Sequence, residues 1–222
     1  MDQRPLTRAL VVLTFTTGLI DAVSYLGLGR VFTANMTGNV VLFGFGLAGT
    51  SGLPVLAPLV SFGGFLFGAI LGGGAAQRSR SDGAVHAAYA FAAEAALLSA
   101  VAVVAAFASV RAGTASGYIV IALLAFAMGI RNATVRRLAV QDLTTTVLTM
   151  TVTGLAADSP FAGGTGKGSR RRILAVGAML TGALAGALLL KTSVALPLAL
   201  AAGLAPFACF ASRSTARSSA LH

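Results

Sequence analysis

A chain of 222 residues that is 56% hydrophobic and 10% charged, with a mean hydropathy of +0.87, cannot hide so much apolar side chain in water, where roughly 25% charged residues is the norm. The formal charge of +10 sits in short loops between apolar runs rather than on a polar and aromatic face, which excludes nucleic acid as a partner and indicates topology signals and contacts with anionic lipid headgroups. Cys209 is the lone cysteine and lies in an apolar run, so an intramolecular disulfide and a cysteine metal cluster are also excluded.

In chain order, the basic start and apolar continuation of MDQRPLTRALVVLTFTTGLI resemble a signal peptide. No small-residue cleavage site follows and the run continues through Asp21 and Tyr25, so it is predicted to be the first span, 8–28. Five further runs are long enough to cross a bilayer: 54–76, 84–108, 117–136, 171–190 and 193–212. Two more, 34–49 and 143–157, are apolar but short. The shorter reaches about 22 Å at 1.5 Å per residue, against a hydrocarbon core of roughly 30 Å. These two are either thinned spans or re-entrant half-helices, giving eight spans or six.

Cytoplasmic loops collect Lys and Arg. With six spans and cytoplasmic N- and C-termini, Arg4, Arg8, Arg78, Arg80, Arg131, Arg136, Arg137, Lys167, Arg170, Arg171, Arg172, Arg213 and Arg217 face inward, and Arg30, Arg111 and Lys191 face outward. With eight spans the division is nearly even, because Arg78, Arg80, Arg131, Arg136 and Arg137 change sides in one direction and Arg111 in the other. The charge distribution therefore favours six spans plus two re-entrant helices. Arg131 is discounted, since it falls where the chain is expected to lie within the membrane.

A duplication with a period near 111 residues organises the chain: Gly18-Leu-Ile-Asp21-Ala22 aligns with Gly129-Ile-Arg-Asn132-Ala133, and Thr33-Ala-Asn-Met-Thr37 with Thr145-Thr-Val-Leu-Thr149. Gly64 and Gly68 are matched to Gly182 and Gly186. The expected fold is thus an all-α polytopic membrane bundle forming one domain over 1–222, with halves 1–111 and 112–222. Each half has three spans, an odd number, so the two are inserted in opposite orientations as an inverted 3+3 repeat. Gly64, Gly68 and Gly72 share one helical face, as do Gly182 and Gly186. Such faces admit close helix contact, within one protomer or at the seam of a homo-oligomer.

The densest polar set is Asp21, Ser24 and Tyr25, followed by Thr33, Asn35, Thr37, Gly38 and Asn39. An ionised carboxylate in a span costs a few kcal/mol unless it meets a partner or water, so Asp21 is expected to face inward, with Ser24 and Tyr25 on the same helical face. These residues either line a pathway or cap a tight re-entrant turn. The mirrored set is Arg131 and Asn132, then Gln141, Asp142, Thr144, Thr145 and Thr146, then Thr149, Thr151 and Thr153. Asp142 is placed to cap the short helix that follows, and an Arg131 pair with Asp21 across the pseudo-symmetric centre is electrostatically favourable. Glu94, in mid-span, either takes up a proton or cation or hydrogen-bonds a neighbouring helix. His86 is read as interfacial and His222 is terminal.

No nucleophile elbow and no His, Cys and carboxylate set with metal spacing is present, and Gly163–Ser169 lacks the frame of a phosphate loop. An enzyme, a metal and a cofactor are therefore not expected. The segment GLIDAVSYLGLGRVFTANMTGNVVLFG, residues 18–44, with Gly-x-x-Asp-Ala and then Phe32-x-Ala-Asn-Met-Thr-Gly-Asn39, closely resembles the YoaK-like family of bacterial membrane proteins. The likeness extends through Arg131-Asn132-Ala133 and Thr144–Thr149 to the last span. It implies a small polytopic protein of about six helices, with no established substrate, and a bacterial inner membrane fits it. The expected function is a small transporter or channel-like protein for a small polar or ionic solute. Asp21, Ser24, Tyr25, Asn35, Thr37, Asn39, Glu94, Arg131, Asn132, Thr145 and Thr149 would line its pathway. The alternative is a membrane assembly or regulatory subunit in which the same residues hold the turns.

Overall fold

In lipid a span must satisfy its own backbone, and every regular element described by the computed structural model, over residues 4–78, 83–138 and 148–219, is helical. The helices are α1 (Arg4–Gly27), α2 (Met36–Leu47), α3 (Leu56–Arg78), α4 (Gly83–Phe107), α5 (Ala115–Leu138), α6 (Leu148–Ala157), α7 (Ser169–Leu190) and α8 (Ala195–Ser219). By length and composition α1, α3, α4, α5 and α7 are sufficient to cross a membrane. The apolar part described for α8, Ala195–Phe210, is shorter, although the helix runs on to Ser219. The two short runs form helices of 12 residues for α2 and 10 for α6, about 18 and 15 Å long at 1.5 Å per residue. Helix α6 is described from Leu148, and the expected start of that run at 143 lies outside the described residues. The expected cap Asp142, with Gln141, Thr144, Thr145 and Thr146, lies outside the described residues.

Helix α1 sits inside the bundle, with 72% of its apolar stretch buried, and α7 on the outside, with 22%. The outer helices turn Leu66, Phe67, Ile70, Leu180, Leu184 and Leu188 outward, as a lipid-facing surface requires. Packing pairs recur across the two halves. Helix α1 lies along α7 as α5 lies along α3, α4 lies along α8, α1 against α8 repeats as α5 against α4, and α2 on α3 repeats as α6 on α7.

The two most intimate contacts are made by glycine. A Cβ at Gly68 would overlap the carbonyl oxygen of Phe126, and one at Gly129 would overlap that of Phe65, so α3 and α5 meet backbone to backbone. In the same way a Cβ at Gly182 would overlap the carbonyl of Phe15, and one at Gly18 that of Met179, bringing α7 onto α1. Gly72 abuts Ile130 as Gly186 abuts Leu19. These contacts pair Gly68 and Gly72 with Gly182 and Gly186. The sequence match of Gly64 with Gly182 is thus one helical turn out of step, because equivalent contacts in the third helix of each half lie 114 residues apart, not 118. Gly18 and Gly129 keep the 111-residue spacing.

Candidate functional site

Burying a guanidinium is tolerable when its charge is paired and its five N–H donors are all bonded. Arg131 on α5 and Glu94 on α4 are both fully buried. Arg131 Nε donates to Glu94 Oε2 at 2.9 Å, and its Nη2 closes a second bond to Oε1. Nη1 donates to the carbonyl of Leu13 at 2.9 Å and to Thr17 Oγ1 at 2.8 Å, while Nη2 also reaches Thr16 Oγ1 at 3.0 Å. The five donors are spent, and α1, α4 and α5 are joined at one point. The expected Arg131 pair with Asp21 is therefore corrected: Glu94, from a helix packed directly on α5, supplies the bidentate carboxylate that a planar guanidinium favours. Arg131 and Glu94 stand in the packed interior.

Asp21 has different partners. Its Oδ1 accepts the backbone N–H of Thr33 at 3.1 Å and of Ala34 at 3.2 Å, and the hydroxyl of Thr33 at 3.4 Å. These bonds fold the segment after α1 back toward the bundle, where Asn35 caps α2 by accepting from the N–H of Gly38 at 3.2 Å. Gly38 is required there, since a Cβ would come within 2.9 Å of the Phe32 ring.

Asn39 fixes the same turn from the other side. It accepts from the N–H of Phe32 at 2.9 Å and donates to its carbonyl at 2.7 Å and to Ser61 Oγ at 3.1 Å, while Ser61 donates to the Phe32 carbonyl at 2.6 Å. Asn39→Ala leaves the Phe32 N–H without its partner, and thermal unfolding is expected to show a loss of about 2 kcal/mol, the scale of one orphaned buried donor plus its lost bonds.

A cavity of about 240 Å³ is lined by Thr17, Asp21, Ala34, Asn35, Leu148, Thr149 and Met179. A second, of about 430 Å³, shares Asn35 and Thr149 with it and adds Tyr25, Phe32, Thr37, Gly38, Val41 and Leu42. The two form a chamber where the first turns of α2 and α6 come together against α1 and α7. Of the residues singled out in the sequence, Asp21, Tyr25, Asn35, Thr37 and Thr149 line it. Ser24 does not; it is buried and bonds the carbonyl of Asp21 at 3.2 Å. Nor do Asn39, held by Phe32 and Ser61, or Asn132, which donates to the Met128 carbonyl at 2.8 Å. Thr145 lies outside the described residues.

Sequence reasoning passed over Thr17, Ser61 and Met179, and named Phe32 only within the motif that carries the family resemblance. The run Thr14-Phe-Thr16-Thr17 was a usable signal, because three hydroxyls in one apolar span need partners, and so was a single serine in the glycine-rich α3. Beyond the chamber, Arg172 Nη1 donates to the Gly154 carbonyl at 2.6 Å and pairs with Asp158 Oδ2 at 2.7 Å, tying the end of α6 to α7. Among the described residues no cluster of His, Cys, Asp and Glu suits a metal ion.

Residues 9–211 match a protein family described as a protein of unknown function, DUF1275. The chain is 35% identical over 152 residues to the UPF0700 transmembrane protein YoaK of Bacillus subtilis (strain 168), an alignment covering 67% of this chain and 65% of that protein. It thus spans somewhat under two thirds of the relative's length. No solved structure matches the chain.

Proposed function

The chain belongs to the DUF1275 family, and from that premise we propose that this multi-pass membrane protein is a small transporter or channel-like protein whose pathway runs through the chamber beside Asp21. One observation carries the reading: the first turns of two short helices, one from each half of the chain, open on the same polar cavity. Helices too short to cross, ending at mid-depth, present unpaired amides and side-chain oxygens to a solute without a catalytic group.

The proposal includes an inverted repeat. The recurrence of helix pairs and the equivalent glycine contacts support it, and counting α8, 25 residues long, as a span gives each half an odd number. It also includes six spans with α2 and α6 re-entrant, cytoplasmic termini and a bacterial inner membrane. With Arg131 assigned to the interior, twelve of the remaining Lys and Arg residues lie on the cytoplasmic side of that arrangement and three on the other.

The test is flux in vesicles reconstituted with the full chain, using a panel of small neutral, anionic and cationic solutes. Asp21→Asn keeps an oxygen for the Thr33 and Ala34 amides and is expected to change the flux of the carried solute at least tenfold, with the unfolding temperature kept within a few degrees. If the variant alters stability or the recovery of partner proteins and leaves flux as it was, the residues serve the turn and an assembly role replaces transport.

A further inference from the structure

The chamber's charge balance narrows the solute, on the premise that the transport reading holds. Asp21 is 6% exposed and lines the inner cavity. Its Oδ1 takes three donors, whereas Oδ2 has no hydrogen-bond donor among the described residues. A carboxylate oxygen that opens on a cavity can accept from a donor placed there.

Helix N-termini ordinarily favour anions, and that of α2 opens here beside the first described turn of α6. The anion at the start of α2 is already supplied by the protein, since Asp21 accepts the amides of Thr33 and Ala34 that lead into the helix. A helix N-terminus at Leu148 would contribute about half a positive charge at most, which the full charge of a carboxylate outweighs. Among the described residues no Lys, Arg or His lines either cavity, and Arg131 is saturated by Glu94, Thr16, Thr17 and Leu13.

The adjoining cavity contributes aromatic faces. Tyr25 and Phe32 stack with ring centroids 4.9 Å apart and an interplanar angle of 24°, and both line it. Aromatic faces attract cations and pack against hydrocarbon. Asn35 and Thr149, common to both cavities, add polar atoms between the carboxylate and the rings.

We infer that the chamber binds a small organic ammonium ion, its N–H donors on Asp21 Oδ2 and its hydrocarbon part against the Tyr25 and Phe32 rings. The size fits, because a few hundred Å³ is the scale of small-molecule sites.

The experiment follows thermal unfolding of the purified full chain with ethylammonium chloride, sodium chloride and sodium formate at equal ionic strength, alongside flux of ethylammonium, formate and glycerol into vesicles. Ethylammonium is expected to raise the unfolding temperature saturably above the sodium chloride baseline. Asp21→Asn is expected to shift the half-effective concentration at least tenfold upward, and Tyr25→Leu several-fold. The comparison among salts uses the unaltered protein, so it decides the matter even where a variant folds poorly. Saturable stabilisation by formate instead, an effect of sodium equal to that of ethylammonium, or no effect of ethylammonium would each overturn the inference. Passage of formate or glycerol without ethylammonium binding removes the cation and leaves transport standing. Passage of none of the three removes the transport reading itself.

Discussion

Glu94→Ala is expected to lower the stability of the folded bundle by about 3–5 kcal/mol, the cost of leaving one partner of a buried ion pair uncompensated. Arg131 would then stand fully buried among α1, α4 and α5 with two of its five donors empty. Glu94→Gln keeps the shape and one acceptor but not the charge, and should fall between alanine and the original. The informative variant replaces both members, Glu94→Leu with Arg131→Met. Thr16 and Thr17 already donate to the Leu13 carbonyl, both at 2.9 Å, so removing the guanidinium leaves their hydroxyls bonded. The double variant is therefore expected to be more stable than either single one. Cys209 provides the readout: it is the sole cysteine and is buried, so a thiol-reactive fluorogenic dye reports unfolding directly. A double variant no better than the worse single one would show that the pair holds the fold by more than charge compensation.

Gly68→Leu is the second large effect. Its Cβ would overlap the carbonyl oxygen of Phe126, and neither backbone can yield without separating α3 from α5. Overpacking a core ordinarily costs 1–3 kcal/mol; backbone against backbone should reach on the order of 3 kcal/mol or more, read as a loss of folded protein in the same dye assay. Gly182→Leu, which meets Phe15 on α1, should match it. Gly73→Leu and Gly177→Leu face open space and should leave the unfolding temperature nearly unchanged, as lipid-facing positions would. Equal loss at all four positions would mean that interhelical distance does not set the glycine requirement, since helix propensity alone favours leucine over glycine.

The outline of the fold was legible because lipid imposes one rule, that backbone groups be satisfied within a helix, and length then separates the long runs from α2 and α6. The polar turn was legible for a similar reason. A carboxylate and two asparagines cannot lie idle in an apolar chain, and Asp21, Asn35 and Asn39 each have defined partners.

What the sequence could not carry was pairing. Arg131 lies one residue before the position matching Asp21, which suggested that the two meet. Which carboxylate a guanidinium reaches depends on which helices pack together, and α4 lies against α5 with Glu94 at the level of Arg131. The glycine match slipped by one turn for a related reason: a four-residue spacing repeats along a helix, so Gly64, Gly68 and Gly72 align equally well by eye. The contacts with Phe126 and Phe15 fix the register.

The most direct test of two short helices entering from opposite faces to meet beside Asp21 uses a Cys209→Ser background carrying either Ser51→Cys, between α2 and α3, or Thr165→Cys, between α6 and α7. Both positions are exposed. A membrane-impermeant maleimide added to sealed cells is expected to label position 51 at once, and position 165 only after the membrane is opened. Labelling of both from the same side would contradict the opposed entry of α2 and α6, and with it the shared chamber as a route across the membrane.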